Sequence, residues 1–257
     1  MLPRAKVLPC AVSLQVFEAL QTRRADCAVI PIENSLAGPV TEHYDLLLEF
    51  STYIEREYSL RIVHNLIAPP GATLRTVKIV YSHPVALAQC RKFFREHRAI
   101  KAEPFYDTAG SVKHVMAEET PDSAAIASEL AAKEYGGKIL QRGLEDNKKN
   151  FTRFLLVKRA PKGPLPRTVG ADKATIAFGL KNRPGTLHQA LGVFADRGIS
   201  LSKIESRPVP GKPWEYVFYA DLLTGDSAEF RTAMRELKRS ADLIQILGIY
   251  RSAKPKS

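Results

Sequence analysis

VKIVYS (77–82) leading into VALAQCRKFFREH (85–97), IKAEPFYD (100–107) into AGSVKHVMAEE (109–119), SAAIA (123–127) into ELAAKEY (129–135), and a closing KILQRGL (138–144) decide the fold class. Short apolar runs alternate with stretches of helical period, and such alternation predicts a parallel sheet with helical crossovers. Each strand exit carries small polar residues: Ser82-His83-Pro84, Asp107-Thr108-Ala109-Gly110-Ser111, and Ser128. In an open parallel sheet these exits lie together, where helix N-termini present free N–H groups and a positive dipole end. That arrangement suits an anion. The plainer reading is that Ser82, Thr108 and Ser128 each only cap a helix.

Upstream, the pattern predicts a helix over Ser13–Arg23, a buried strand over Cys27–Pro31, the polar cluster Glu33-Asn34-Ser35, and a new helix capped by Thr41. Tyr53–Ile67 adds further strand, and Pro69-Pro70-Gly71 marks passage into a second lobe. Downstream, Asn150-Phe151-Thr152-Arg153-Phe154 heads the apolar run Leu155-Leu156-Val157. An Arg is seldom buried without a negative partner, and the nearest acids, Glu145 and Asp146, lie beyond Lys148 and Lys149. A small anionic ligand is the expected partner, against the alternative of an edge-strand Arg reaching solvent. Residues 152 and 153 should face opposite ways on a regular strand, so one ligand meets both only at a strand entrance or across a cleft. Two α/β lobes with polar groups at their strand ends suit a small polar ligand.

Between Arg159 and Asp172, APKGPLPRTVGAD has the Pro and Gly content of an exposed connector. Beyond it come strand (Ala174–Leu180), helix (Pro184–Arg197), strands (Ile199–Pro208 and Trp214–Leu222), helix (Ser227–Arg239) and strand (Asp242–Tyr250). This is a βαββαβ unit of ferredoxin-like type. Trp214, Tyr216, Phe218, Ala220 and Leu222 alternate against Glu215 and Asp221, as in a sheet covered by helices on one side, with the other face free to meet a partner.

At 257 residues, 45% hydrophobic and 25% charged, the chain has ordinary globular composition. No apolar run approaches the roughly 20 residues that span a bilayer, so no membrane span and no cleaved signal are expected. Cys10, Cys27 and Cys90 form no Cys-x-x-Cys pair and read as buried small hydrophobes in a reduced cytosol, with no disulfide scaffold and no metal site. The net charge of +11 gathers partly in the Lys158–Arg167 linker and the Lys254–Lys256 tail, which make no groove. Without zinc-finger, aromatic RNA-binding or helix-turn-helix patterns, the charge favours a dicarboxylate over nucleic acid.

Taken together, PIENSLAGPV (31–40), YSHPVALAQC (81–90), DTAGS (107–111), EDNKKNFTRF (145–154), NRPGTL (182–187) and ESRP (205–208) resemble prephenate dehydratase with a C-terminal ACT regulatory domain. The resemblance implies an α/β catalytic domain of two lobes, like a periplasmic binding protein, followed by the ferredoxin-like ACT domain. It implies a carbon–oxygen lyase of phenylalanine biosynthesis, cytoplasmic, converting prephenate to phenylpyruvate, water and carbon dioxide without a cofactor or metal. L-phenylalanine is the implied effector and a homodimer or homotetramer the implied assembly. Arogenate is the alternative substrate, and a non-catalytic phenylalanine sensor the alternative function; a small-anion receptor lacks the export signal such proteins carry.

By matched motif, the resemblance assigns catalysis to Thr152, Arg153 and Phe154, with Arg153 on a substrate carboxylate. It assigns substrate binding to Asn34, Ser35, Ser82, His83, Thr108 and Ser111. The effector site falls on Asn182, Pro184, Gly185, Thr186, Leu187, Glu205, Ser206 and Arg207, with Thr186 where the family commonly has Ala. A threonine hydroxyl is a poor acid, so Thr152 stabilises the departing oxygen by a hydrogen bond; His83 or Glu33 is the candidate proton source. The expected divisions are a catalytic domain at 1–160 (lobes about 1–70 with 147–160, and 71–146), a linker at 161–172, the ACT domain at 173–251 and a basic tail at 252–257. The family also opens with a strand and a Gly-Pro-x-Gly-Thr-x-Ser loop, and nothing like it precedes Val7. The expectation is a truncated reading of an active enzyme.

Overall fold

The computed structural model describes residues 5–209 and 211–253, so the tail lysines lie outside the described residues. The chain divides into two compact units. One takes in the described parts of Met1–Asn34, Gly38–Ser59 and Arg153–Lys256; the other takes in Ser35–Ala37 and Leu60–Thr152.

The first pass through unit 1 forms α1 (Ser13–Gln21), β1 (Ala28–Asn34), β2 (Gly38–Pro39), α2 (Thr41–Glu49) and β3 (Thr52–Arg61), whose end crosses into unit 2. Thr41 is the first helical residue and not the cap; Val40 holds that place without a side-chain bond. Unit 2 then forms β4 (Asn65–Ala68), β5 (Ile79–Ser82), α3 (Pro84–Ala88), α4 (Arg91–Glu96), β6 (Lys101–Pro104), α5 (Thr108–Glu118), β7 (Ser123–Ala127), α6 (Glu129–Tyr135) and β8 (Lys138–Gln141). The chain returns through β9 (Phe151–Arg159), then β10 (Lys173–Leu180), α7 (Thr186–Ala195), β11 (Leu201–Pro208), β12 (Tyr216–Leu222), α8 (Ala228–Leu237) and β13 (Leu243–Tyr250).

In unit 2 the sheet order is β6-β5-β7-β4-β8. The expected parallel pairs are present, β5 lying parallel to both β6 and β7. The sheet is nevertheless mixed, because β4, expected with the first lobe, inserts antiparallel between β7 and β8. Its NLIA run is buried at every position, as is SAAIA of β7, so both need a covered place within a sheet. Side-chain alternation feeds two cores. Leu66, Ala124 and Ile126 pack with Val80, Cys90 and Phe93, while Ile67, Ala125 and Ala127 pack with Val112, Val115 and Ala131. Of the cysteines only Cys90 is buried; Cys10 and Cys27 are partly exposed.

Unit 1 contains two sheets, β2-β1-β9-β3 and β11-β12-β10-β13. In the second, β10 pairs antiparallel with β12 and β13, and β11 with β12, which is the ferredoxin-like order. Strands and helices here start or stop within two residues of the expected ends, β10 beginning one residue earlier and the others falling inside, and Trp214 stands outside β12, 75% exposed. One face, with Ile176, Phe178, Ala220 and Leu222, packs on Phe194 of α7 and Phe230 and Leu237 of α8.

The other face is not free. Ala177, Val217, Tyr219, Leu247 and Tyr250 share a core with Phe17, Ile30, Tyr44, Ile54, Leu155 and Val157 of the first sheet and its helices. All eight residues of β10 are therefore buried. The sequence alternation misled because Asp221 reads as a solvent-facing residue, whereas it is 3% exposed. Gly248 shows how close the approach is: a Cβ there would lie 2.3 Å from the Ile54 carbonyl oxygen.

Candidate active site

The motif residues fall on both units. Asn34, Arg153 and Phe154 belong to unit 1; Ser35, Ser82, His83, Thr108, Ser111 and Thr152 belong to unit 2.

In unit 2, Ser35 is fastened to the head of β9. Its N–H donates to the Phe151 carbonyl at 2.8 Å, and the Phe151 N–H donates to Ser35 Oγ at 2.9 Å. Ser35 Oγ also donates to the Lys149 carbonyl at 3.1 Å. Two motifs far apart in sequence, one at 33–35 and one at 152–154, are thereby held side by side, with Thr152 next to the fastened residue. Behind them, Gln89 Oε1 accepts from Asn150 Nδ2 and His64 Nε2, each at 2.8 Å. Asp146 caps α4 by accepting from the N–H groups of Arg91 and Lys92 at 3.0 and 2.9 Å. Buried Glu145 accepts the His64 N–H at 3.0 Å and pairs with Arg61 and Lys148. A recess of about 680 Å³ is lined by Leu36, Ala37, Val85, Gln89, Arg91 and Asp146 among others, next in sequence to Ser35 and to His83-Pro84.

At the sheet's carboxyl end, Ser82 is fully buried and its Oγ donates to the Ile126 carbonyl at 2.6 Å, tying β5 to β7. It is the last strand residue and caps nothing; His83 is the cap, its Nδ1 accepting the Val85 N–H at 3.2 Å. That bond leaves the imidazole proton on Nε2 in the neutral ring. Thr108 is likewise not a cap, since Asp107 takes that place and accepts the Gly110 N–H. Buried Ser111 donates to the Asp107 carbonyl at 2.6 Å. Only Ser128 of the three caps as anticipated, accepting from Ala131.

β9 runs unbroken over Phe151–Arg159 and passes from unit 2 into unit 1 after Thr152, so Thr152 and Arg153, successive residues of one strand, face opposite ways. Arg153 shares its face with Leu155 and Val157, which enter the core with Val217 and Tyr219. Expected to await an anionic ligand, its guanidinium instead meets the chain's own carboxylates. Nη1 donates to Asp221 and lies 3.6 Å from Glu57, and Nε lies 3.8 Å from Glu33. The partners are not the nearest acids in sequence, Glu145 and Asp146, but residues of β1, β3 and β12. Burial alone would lower the Arg153 pKa; Asp221 first, then Tyr250 and Glu57, hold it above its ordinary value. The same network takes in Thr175, which donates to Asp221 at 2.6 Å and contacts the Tyr250 hydroxyl at 2.5 Å, and Lys173, which donates to Glu57 at 2.8 Å. Sequence reading missed Asp221, Glu57 and Lys173. For Asp221 and Lys173 the available signal was a charge set in or at the end of an otherwise apolar run; Glu57 sits in the polar run EREYS and carried none.

In the C-terminal module, Gly185 holds φ +85 at the N-cap of α7, a conformation that disfavours a side chain. The helix starts at Thr186, so Pro184 precedes the cap. Thr186 Oγ1 buttresses the loop, donating to the carbonyls of Lys181 at 2.9 Å or Arg183 at 3.0 Å. On β11, Glu205 and Arg207 are half-buried while Ser206 is exposed. Arg207 donates to both oxygens of Asp45 in α2, at 3.1 and 2.7 Å. Asn182 and Leu187 flank the same loop. Among the described residues no cluster of His, Cys, Asp and Glu could hold a metal ion, and no helix is long and apolar enough to cross a membrane.

The family model for prephenate dehydratase matches residues 1–162 and that for the ACT domain residues 174–241. An arogenate dehydratase/prephenate dehydratase of Arabidopsis thaliana is 39% identical over 96% of this chain and 67% of its own length. The crystal structure of prephenate dehydratase from Arthrobacter aurescens in complex with L-Phe is 35% identical, with a TM-score of 0.88, over 97% of this chain and 83% of that one. A structure described as GqqA, a novel type of quorum quenching acylases, is 34% identical, with a TM-score of 0.89, over 98% and 91%. The fold class is thus the mixed α/β, periplasmic-binding-protein-like type with an ACT domain. This chain belongs to the prephenate dehydratase family, a family of prephenate and arogenate dehydratases, and carries the family's ACT regulatory domain.

Proposed function

We propose that the chain converts prephenate to phenylpyruvate in the cytoplasm, as a homodimer or homotetramer inhibited by L-phenylalanine at the ACT domain. The observation that carries the reading is the double bonding of Ser35 to Phe151, which supports one site built from the Glu-Asn-Ser and Thr-Arg-Phe motifs. The bond from the ring to its carboxylate breaks, carbon dioxide leaves, and the freed electron pair aromatises the ring as hydroxide departs and is protonated to water. Thr152 donates a hydrogen bond to the departing oxygen, and the hydrogen-bonded frame around Ser35 and Asn150 holds the strand that presents it. His83, with its proton on Nε2, is the donor candidate from unit 2. Arg153 acts through the strand: engaged by Asp221 and Glu57, it positions Thr152 instead of gripping a substrate carboxylate. The boundaries we assign are catalytic 1–160, linker 161–172 and ACT 173–251. The L-Phe complex of the Arthrobacter relative supports phenylalanine as the effector.

The test is turnover of prephenate to phenylpyruvate and, in parallel, of arogenate to phenylalanine, the former with and without added phenylalanine. Prephenate turnover suppressed by phenylalanine is the expected result. A higher kcat/KM for arogenate reassigns the substrate. No turnover of either, by this chain and by one extended upstream in frame, overturns the reading.

A further inference from the structure

Five charged side chains of unit 1 form a row of alternating sign. Glu205 Oε2 lies 3.8 Å from Lys203 Nζ, which lies 3.3 Å from Glu33 Oε1; Glu33 Oε2 lies 3.8 Å from Arg153 Nε, and Arg153 meets Asp221. One end is the Glu-Ser-Arg-Pro motif on β11. The other is Asp221 on β12, reached through Arg153, the neighbour of Thr152 on β9. Glu33 stands in the middle, and Lys203 links it to Glu205, with the Lys203 side chain 13% exposed and its ammonium 5.7 Å from the centre of the Tyr44 ring. Burial is uneven along the row: the Lys203 and Arg153 side chains are 13% and 17% exposed, so water and salt screen them little, while Glu33 is 35% exposed and is screened more.

Each oxygen of Glu33 faces a different cation: Oε1 faces Lys203 and Oε2 faces Arg153. Moving Lys203 with its strand changes the force on Glu33, and so on the guanidinium beside Thr152. We infer that Lys203 is a positioning residue that couples the effector motif to the strand bearing Thr152. The inference rests on the proposed function, since it names the route by which phenylalanine acts on turnover. Lys203 touches neither substrate nor effector in this account. Its charge holds Glu33, and Glu33 with Asp221 holds Arg153. By linkage, the same row makes substrate weaken phenylalanine binding by the factor by which phenylalanine weakens substrate binding.

The experiment compares the native chain with Lys203→Met, Lys203→Arg and Glu33→Gln. Calorimetry gives the phenylalanine Kd, and phenylpyruvate formation gives kcat, KM and the residual rate at saturating phenylalanine. The Lys203→Met chain should bind phenylalanine with nearly the native Kd yet be inhibited at saturation at least about fivefold less, the lower end of ordinary couplings. Lys203→Arg should restore inhibition. Glu33→Gln should uncouple to a similar degree, and the double variant Lys203→Met with Glu33→Gln no further than either alone. Full inhibition of Lys203→Met at saturating phenylalanine overturns the inference, as does loss of phenylalanine binding, which would make Lys203 a binding residue. Lys203→Arg as uncoupled as Lys203→Met would show that shape and not charge matters, and would also overturn it. No turnover of prephenate or arogenate, by the native chain and by one extended upstream in frame, refutes the proposed function itself, which separates the two failures.

Discussion

Asp221→Asn keeps the shape of the side chain and removes the charge that Arg153 meets at the contact between the two sheets of unit 1. Asp221 is 3% exposed and the Arg153 side chain 17%. Breaking such a pair by removing one partner costs about 3–5 kcal/mol when the remaining charge is left alone. Arg153 is not left alone, because Glu57 lies 3.6 Å and Glu33 3.8 Å away, and an amide oxygen still accepts the Thr175 hydroxyl. The expected loss is therefore about 2–3 kcal/mol, the range of a charge-assisted hydrogen bond. Urea unfolding followed by far-ultraviolet circular dichroism measures it. Trp214, exposed and outside the sheet, would be a poor fluorescence reporter. Hydrogen exchange locates it: protection should fall in Phe151–Arg159 and Tyr216–Leu222 and persist in Ser123–Ala127 of unit 2. A loss under about 0.5 kcal/mol, or equal loss of protection in both units, would refute the claim that this buried network holds the two sheets together.

Gly248→Ala puts a methyl group against the Ile54 backbone at 2.3 Å, so stability should drop by about 1–3 kcal/mol through overpacking, read by the same urea titration. The Cys90 thiol is buried and pushed up to about 12 by that burial. A raised thiol pKa means little thiolate at pH 8, so iodoacetamide should label partly exposed Cys10 readily, Cys27, whose thiol burial also pushes up, more slowly, and Cys90 only after denaturation, as peptide mass spectrometry would show. Thr152→Ala should lower kcat by about 10–1000-fold with little change in KM, the mark of a bond made mainly in the transition state; a change confined to KM would move Thr152 to substrate binding.

The ferredoxin-like module was legible in sequence because each element has a single dominant period, and its six elements stand within a residue or two of their expected places. Three parallel strands of unit 2 were legible for the same reason. The placement of β4 was not, since NLIA is apolar at nearly every position and carries no sign of which sheet it joins or in which direction. The covered face of the ACT sheet was hidden for a different cause: Asp221, Thr175 and Lys173 are polar residues buried by one another and by Glu57, and local pattern cannot distinguish that from exposure. The motifs named the residues around Thr152. They did not reveal that Arg153 turns away from Thr152 toward acids more than sixty positions distant, because pairing across that span is a property of the folded chain.

The first sheet of unit 1 runs β2-β1-β9-β3, so β9, one of its two inner strands, is made only after residues 62–150 have been synthesised. During synthesis β1 and β3 must wait without the strand that lies between them, while unit 2, nearly continuous in sequence, can close on its own. The core around Ile30, Ile54 and Leu155 waits longer still, for β12 and β13. Expression of residues 1–160 alone would therefore leave that core open, and the nascent chain carries its longest interval of vulnerability to aggregation between the emergence of β1 and that of β13.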